Sequence, residues 1–326
     1  MAELGATVRQ IRQNKGLTLA EVADEQVTAS FLSKFERGVT DISTDRFLHV
    51  LDRIFTTPEE FFYVHLGPTA TKTWGQDGYY NRNTMFRRLF GQGLHLTSKA
   101  EEQQTLADVT AREQAGFARY QNAPTLINTL YWRVQQVMKQ EVVSVLHDEP
   151  LFIKKHSTGE YSREAMHYLY NVNDWGEFEL YVFVIFAAAM RPDDERRLFQ
   201  VALKRSQKYS SFPAAPKLRF HLIFNQLFLE MNRQAYAVVA EELPQYAALL
   251  TADPDAEQEI WYRFIRAWWL YRTDHQVEAA ALGDSTVKLA TTLRMTKMAQ
   301  FVQSELAVVA THGPEHDFSF FQQVVE

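Results

Sequence analysis

Residues 17–47 read Leu17-Thr-Leu-Ala-Glu-Val-Ala-Asp-Glu-Gln-Val-Thr-Ala-Ser-Phe-Leu-Ser-Lys-Phe-Glu-Arg-Gly-Val-Thr-Asp-Ile-Ser-Thr-Asp-Arg-Phe47. Thr18 with Glu21 three residues on has the form of a capping box, so a helix is expected from Leu19 with Val22 and Ala23 turned inward. Thr28 can cap a second helix, on which Leu32 and Phe35 point inward and Ala29, Ser30, Ser33 and Lys34 point out. Gly38 stands where a helix needs a left-handed residue to end, and Ser43 can cap the next helix. Two short helices, a tight turn, a glycine stop and a further helix are the spacing of a helix-turn-helix unit, whose second helix enters the major groove of DNA.

The pattern extends on both sides. Leu4, Val8 and Ile11 mark a preceding helix that carries Arg9 and Arg12. Beyond Ser43, Phe47, Leu48, Leu51, Ile54 and Phe55 are expected on one buried stripe. Thr57-Pro58-Glu59-Glu60 then opens a fifth helix, with proline at its first position and acids in its first turn. Residues 1–66 therefore read as a five-helix DNA-binding domain. Gly67-Pro68-Thr69-Ala70-Thr71-Lys72-Thr73 has turn formers and no period, so residues 67–80 are taken as a linker.

Composition bounds the rest. The chain has 326 residues, 46% of them hydrophobic and 13% aromatic, enough for two domains with a substantial core and too many for disorder. The longest apolar run, Leu180 to Met190, is too short to span a membrane. The start Met1-Ala-Glu-Leu-Gly lacks the regions of a signal peptide, and cysteine is absent, which removes disulfides, thiolate catalysis and zinc-finger sites. A cytoplasmic protein is expected.

Charge argues against tight nonspecific DNA binding. The net charge is −6, and residues 1–66 hold seven Lys/Arg against ten Asp/Glu. What matters for phosphate contact is the local field, and Arg9, Lys15, Lys34, Arg37 and Arg46 can share the recognition-helix side while Asp52, Glu59 and Glu60 lie elsewhere. Thr28, Ala29, Ser30 and Lys34, with Ser33 next, are the expected base-reading positions near the start of that helix.

The stretch resembles the helix-turn-helix of phage-repressor-like regulators. Ala23-Asp24-Glu25 and Phe31-Leu32-Ser33-Lys34-Phe35-Glu36-Arg37-Gly38 are similar to the Rgg/GadR/MutR family in particular. That resemblance implies a cytoplasmic Gram-positive regulator with an N-terminal DNA reader and a C-terminal helical-repeat domain, which in several members binds a short peptide pheromone. The phage-repressor pattern also pairs an arginine of helix 1 with the glutamate ending helix 3, so Arg12 and Glu36 are read as a structural ion pair. The sequence departs from these patterns in two places. The turn before Thr28 has no glycine and is one residue shorter than in phage repressors. Thr44 stands where some members carry a cysteine that joins two readers, so a homodimer here would be noncovalent.

Residues 81–326 read as helical hairpins. Glu177–Ala189 pairs with Asp193–Lys208, Lys217–Met231 with Gln234–Leu250, and Ala256–Tyr271 with Gln276–Leu293, repeating every roughly 35 to 40 residues. Large residues crowd the first helix of a pair and alanines the second, as in Ala235-Tyr236-Ala237 and Glu278-Ala279-Ala280-Ala281, allowing close approach. The fold class is all-α: a five-helix reader followed by a tetratricopeptide-like α-solenoid that supplies ligand sensing and dimer contacts. The family resemblance continues more thinly through Trp175-Gly-Glu-Phe178-Glu179-Leu180 and Leu222-Ile-Phe-Asn225-Gln-Leu.

A repeat groove rich in aromatics with a few amides suits a short hydrophobic peptide, because an amide side chain can bond both backbone N–H and C=O of an extended chain. Asn225 is the first candidate. Asn171, Trp175, Tyr181, Tyr262, Arg263 and Trp269 follow, Arg263 as a receptor for a peptide carboxylate, although an aromatic at helical spacing is more often core than ligand contact.

Enzyme signatures are missing from the sequence: there is no G-x-S-x-G elbow, Walker loop or H-E-x-x-H. The glycine pairs Gly75/Gly78 and Gly91/Gly93 have no strand before them, and Gly313-Pro314 breaks any helix that would present His312 and His316 to a metal. No enzyme, cofactor or metal is expected. The partners expected are double-stranded DNA at a pseudo-palindromic promoter, a second copy of the chain, and a short apolar peptide. Two alternatives stay open: the same fold responding to stress or a metabolite without a peptide, and a repeat-domain adaptor between proteins.

Overall fold

Capping side chains decide where the first helices begin. The structure, a computed structural model, describes residues 4–66, 99–146, 157–209 and 217–317. Among these, every regular element is a helix. Two compact units separate, one within residues 1–81 and the other within 82–326. The expected linker and the pairs Gly75/Gly78 and Gly91/Gly93 lie outside the described residues.

The first unit holds α1 (Leu4–Asn14), α2 (Leu19–Val22), α3 (Ala29–Glu36), α4 (Thr44–Arg53) and α5 (Pro58–Leu66). Thr18 and Glu21 form the reciprocal capping box at α2, while Thr28 accepts from Phe31 N and Ser43 from Arg46 N. Gly38 ends α3 with φ 70°, a left-handed conformation that glycine adopts without penalty. One core joins Val8, Ile11, Val22, Val27, Leu32, Phe35, Phe47, Val50, Leu51, Ile54 and Phe61. Phe47 and Phe61 meet edge to face, with ring centroids 5.0 Å apart.

The stripe expected on α4 needs correction. Phe47, Val50, Leu51 and Ile54 are buried, whereas Leu48 and Phe55 are 45% and 77% exposed. Positions i, i+3, i+4 and i+7 form the inward face, and residues 48 and 55 fall on its flank. The helix also stops at Arg53, and Phe55 turns out of it with φ 52°.

The second unit begins with α6 (Lys99–Asn122) and α7 (Leu126–Leu146), which pack as a hairpin. It continues through α8 (Arg163–Asn171), α9 (Glu177–Ala187), α10 (Pro192–Ser206), α11 (Leu218–Asn232), α12 (Tyr236–Ala252), α13 (Ala256–Arg272), α14 (Gln276–Thr292) and α15 (Thr296–Thr311). Successive helices pack on each other, and α13 also meets α11 and α15. That i to i+2 contact is the arrangement of a helical repeat. The first helices of the pairs carry the core: Leu180, Phe183 and Phe186 on α9, Leu222 and Phe228 on α11, and Phe264 and Trp268 on α13 are all 1% exposed or less.

The turns repeat as well. Gln234, Asp274 and Arg294 take φ of 60°, 63° and 60°, each just past a helix end. In each turn the next N–H closes on a carbonyl inside the finished helix: Ala235 on Glu230, His275 on Leu270, and Met295 on Ala290. The geometry recurs although none of the three residues is glycine, which is why glycine spacing does not reveal the period.

Alanine placement follows the helix face more than the local run. Ala279 is fully buried, but Ala280 and Ala281 are exposed, as is Ala237. A close approach on α14 is made by Gly283, where an added Cβ would come 2.9 Å from Leu306 Cδ1.

Candidate nucleic-acid interface and ligand site

Helix α3 can present side chains to DNA only if it is held from behind, and α1 does this with one stripe. Gly5 passes so near the end of α3 that an added Cβ would lie 1.9 Å from the Phe35 carbonyl oxygen. Seven residues on, Arg12 donates from Nε to Glu36 Oε1 at 2.7 Å and from Nη2 to Glu36 Oε2 at 2.8 Å. Its Nη1 reaches the Leu17 carbonyl at 2.6 Å, tying in the start of α2. Both side chains are buried, and the Glu36 hydrogen bond raises the Arg12 pKa. Such a pair is costly to break because either partner alone is a buried, uncompensated charge.

The turn ahead of α3 lacks glycine because Asp24 organises it. Asp24 Oδ1 accepts from Gln26 N at 2.9 Å and Val27 N at 3.1 Å, and Oδ2 meets His49 Nε2 at 2.5 Å. The His49 contact and these backbone bonds lower the Asp24 pKa. Sequence reasoning missed Asp24 and Gly5 as determinants of α3. The Asx-turn chemistry of Asp24 was the available signal.

On the outward side, Ser30, Lys34 and Arg37 are exposed, Ala29 and Ser33 are half-buried, and Thr28 is exposed with its hydroxyl capping Phe31 N. Arg46 lies over the Phe31 ring, 5.2 Å from its centroid, and remains exposed beside the start of α3. Arg37 donates from Nε to the Ser33 carbonyl at 3.1 Å. Arg9 is exposed on α1. Lys15 departs from the expectation of phosphate contact. Its ammonium binds Ile54 O at 2.9 Å, Phe55 O at 2.6 Å and Thr56 Oγ1 at 2.8 Å, so it caps the end of α4.

In the second unit the expected groove residues divide. Asn225, on α11, is 3% exposed, and neither its Nδ2 nor its Oδ1 has a hydrogen-bond partner among the described residues. Leaving a buried amide unpaired costs about 1–3 kcal/mol, so such a group normally has a water or ligand partner. Phe224, the preceding residue, is half-buried and meets Trp261 edge to face at 5.2 Å, and Trp261 in turn meets Phe301 at 5.5 Å. These three part-exposed rings were not singled out in the sequence. His221, one turn before Asn225, is open to solvent, yet enough protein surrounds its imidazole for desolvation to lower its pKa against the opposing pull of Glu257.

The other six candidates do not join Asn225. Trp175 is 2% exposed and donates from Nε1 to the Leu169 carbonyl at 3.2 Å. Glu179 accepts Gly176 N–H at 2.6 Å and the Tyr168 hydroxyl, so the run from Trp175 to Leu180 builds the α8–α9 junction. Tyr181 is buried in the core. Asn171 is exposed and bonds back to the His167 carbonyl at 2.6 Å. Tyr262 stacks on Tyr246 at 5.7 Å, and Trp269 donates to the Tyr236 carbonyl at 3.0 Å, so this face of α13 packs against α12. Arg263 pairs with Glu259 one turn earlier at 2.6 Å. These six are better explained by packing and local pairing than by a shared ligand site.

Comparison with known proteins follows this architecture. The family described as "HTH-type transcriptional regulator Rgg, C-terminal domain" matches residues 105–300, and a helix-turn-helix domain family matches residues 3–60. The fold is similar to that of a candidate transcriptional regulator from Listeria monocytogenes EGD-e, with TM-score 0.73 and 18% identity over 94% of this chain and 97% of that one. It is also similar to the SHP pheromone receptor Rgg2 of Streptococcus dysgalactiae, with TM-score 0.58 and 16% identity over 94% and 99%. A bacterial peptide pheromone/receptor complex gives TM-score 0.60 at 10% identity over 96% and 100%. With its carboxy-terminal domain matched over most of the repeat region and a helix-turn-helix ahead of it, the chain belongs to the Rgg family of helix-turn-helix transcriptional regulators.

Proposed function

We propose that this regulator acts in the cytoplasm as a noncovalent homodimer, reads a pseudo-palindromic promoter through α3, and responds to a short apolar peptide held by the repeat domain. Residues 1–66 serve as the reader, 67–80 as the linker and 81–326 as the sensing and dimerising domain. Ser30, Ser33, Lys34, Thr28 and Ala29 face the bases, while Arg9, Arg37 and Arg46 meet phosphates. The observation that carries the peptide reading is the unpaired, buried amide of Asn225 on α11, the helix whose Phe224 meets the part-exposed Trp261. An extended peptide backbone supplies the donor and acceptor that this amide lacks, and apolar side chains suit the rings. The similarity in fold to pheromone receptors supports the same reading.

A ligand changes transcription only by binding one arrangement of the protein better than another. Peptide occupancy must therefore be coupled to reader spacing or DNA affinity. The test is to identify peptides that co-purify with the full chain by mass spectrometry and titrate them calorimetrically into wild type and Asn225→Ala. The variant should bind about tenfold or more weakly. Equal affinity would remove Asn225 from the site.

A further inference from the structure

Arginine uses one edge of its guanidinium, the Nε–Nη2 fork, to grip a carboxylate with two parallel hydrogen bonds. Among the described residues four arginines do so: Arg12 on Glu36, Arg133 on Glu164, Arg196 on Glu230, and Arg272 on Asp317. Arg233 breaks the pattern. Its Nη1 is held by Glu195 at 2.7 Å and Glu230 at 3.1 Å, but Nε and Nη2 are buried with no partner among the described residues. The side chain is only 9% exposed, so its position is fixed from behind while the fork stays bare.

Arg233 is one of the residues that bound a pocket of about 540 Å³, together with Ser157, Pro192, Arg196, Asn232 and Gln234. Asn232 adds an acceptor. Its Nδ2 donates to the Phe228 carbonyl at 3.0 Å, which leaves a buried Oδ1 without a partner among the described residues. A fork of two donors beside one acceptor matches a carboxylate with an N–H group next to it. Charge disfavours a phosphate dianion, because Arg196 and Arg233 are already opposed by Glu195 and Glu230. Asn225, seven residues back along α11, does not line this pocket.

We propose that the Arg233 pocket binds the carboxylate of an α-amino acid unit, with Arg233 Nε and Nη2 on the carboxylate and Asn232 Oδ1 on the adjacent N–H. Such a unit comes either as a free amino acid or as the C-terminal residue of a peptide. The site stands apart from the Asn225 reading, and either can fail alone.

The test uses the full chain, thermal shift and calorimetry with three sets of probes: free L-amino acids, N-acetylated tripeptides with free C-termini, and the same tripeptides as C-terminal amides. At least one acid should bind. If a tripeptide acid binds, its amide should be weaker by about tenfold or more, since amidation removes the charge that the fork holds. Binding confined to free amino acids identifies a small-molecule site, and binding confined to tripeptide acids identifies a peptide terminus. Arg233→Lys keeps the cation near Glu195 and Glu230 but lacks the fork, so it should retain the melting temperature and lose the acid. Absence of binding by every acid, or equal affinity for acid and amide, overturns the proposal. Should Arg233→Lys fail to fold, the wild-type acid and amide titrations decide alone.

Discussion

Arg12 on α1 and Glu36 in the last turn of α3 are joined by two parallel hydrogen bonds of 2.7 and 2.8 Å inside the reader. This pair fixes the far end of the helix whose opposite face is open to DNA. Glu36→Ala should destabilise the full chain by about 3–5 kcal/mol, because Arg12 is left buried without its partner. Thermal and denaturant unfolding measure this. Intact stability with lost DNA binding would make Glu36 a DNA contact instead.

Gly5 should behave like part of the same clamp. Alanine usually strengthens a helix by about 0.4–1 kcal/mol when the backbone allows it. At position 5 the added Cβ meets the Phe35 carbonyl at 1.9 Å, so α1 and α3 must separate. Gly5→Ala is expected to lower stability by roughly 1–3 kcal/mol and weaken DNA binding. A raised melting temperature would contradict the close approach.

Two lysines distinguish structure from contact. Lys15→Ala removes the ammonium that caps α4 and should cost about 1–3 kcal/mol in unfolding experiments, with the salt dependence of DNA binding unchanged. Lys34→Ala should leave stability within about 0.5 kcal/mol, cost about 1–3 kcal/mol in specific DNA binding and relax base preference at one position of each half-site. The wild-type slope of log K against log salt should be clearly negative, yet shallower than that of a basic repressor, given the reader's excess of acids.

A cluster of buried acids makes stability depend on pH. Desolvation, then Glu230 and Glu195, raise the Glu242 pKa to about 8, against opposing effects from Gln226 and Arg196. Glu195 is raised to about 7, again chiefly by desolvation. The unfolded chain loses these protons near the ordinary glutamate value, so between about pH 4.5 and 8 the folded state binds more protons. Their contribution to stability therefore falls as pH rises through that window. Glu242→Gln should melt a few degrees higher than wild type at pH 8 and about the same at pH 5. A pH-independent difference would rule out this titration.

The reader was legible because each boundary has a local cause: the Thr18/Glu21 box, the Thr28 and Ser43 caps, and Gly38 at positive φ are written within a few residues. The repeat pairs were legible from periodicity, and their boundaries move by only a few residues. Long-range relations were less visible. Nothing local tells that Lys15 reaches across to Ile54, or that Gly5 touches Phe35. The candidate groove was harder still. Trp261, Tyr262, Phe264 and Trp269 all lie on α13, but Trp261 and Phe264 meet Phe301 of α15 while Tyr262 and Trp269 turn to α12. Composition cannot separate those faces. Asn225 differs because burial leaves its amide without a partner among the described residues, a property that only packing exposes.

The central claim is that α3 reads a specific DNA sequence twice, once from each copy of a homodimer. Selection from a random duplex library with the full chain, followed by sequencing, tests it directly. The account predicts enrichment of two inverted half-sites spaced by about one helical turn, and a changed preference for Ser30→Ala and Lys34→Ala at matching positions in both halves. A library that emerges unenriched, or variants that select the same sequence as wild type, would contradict it.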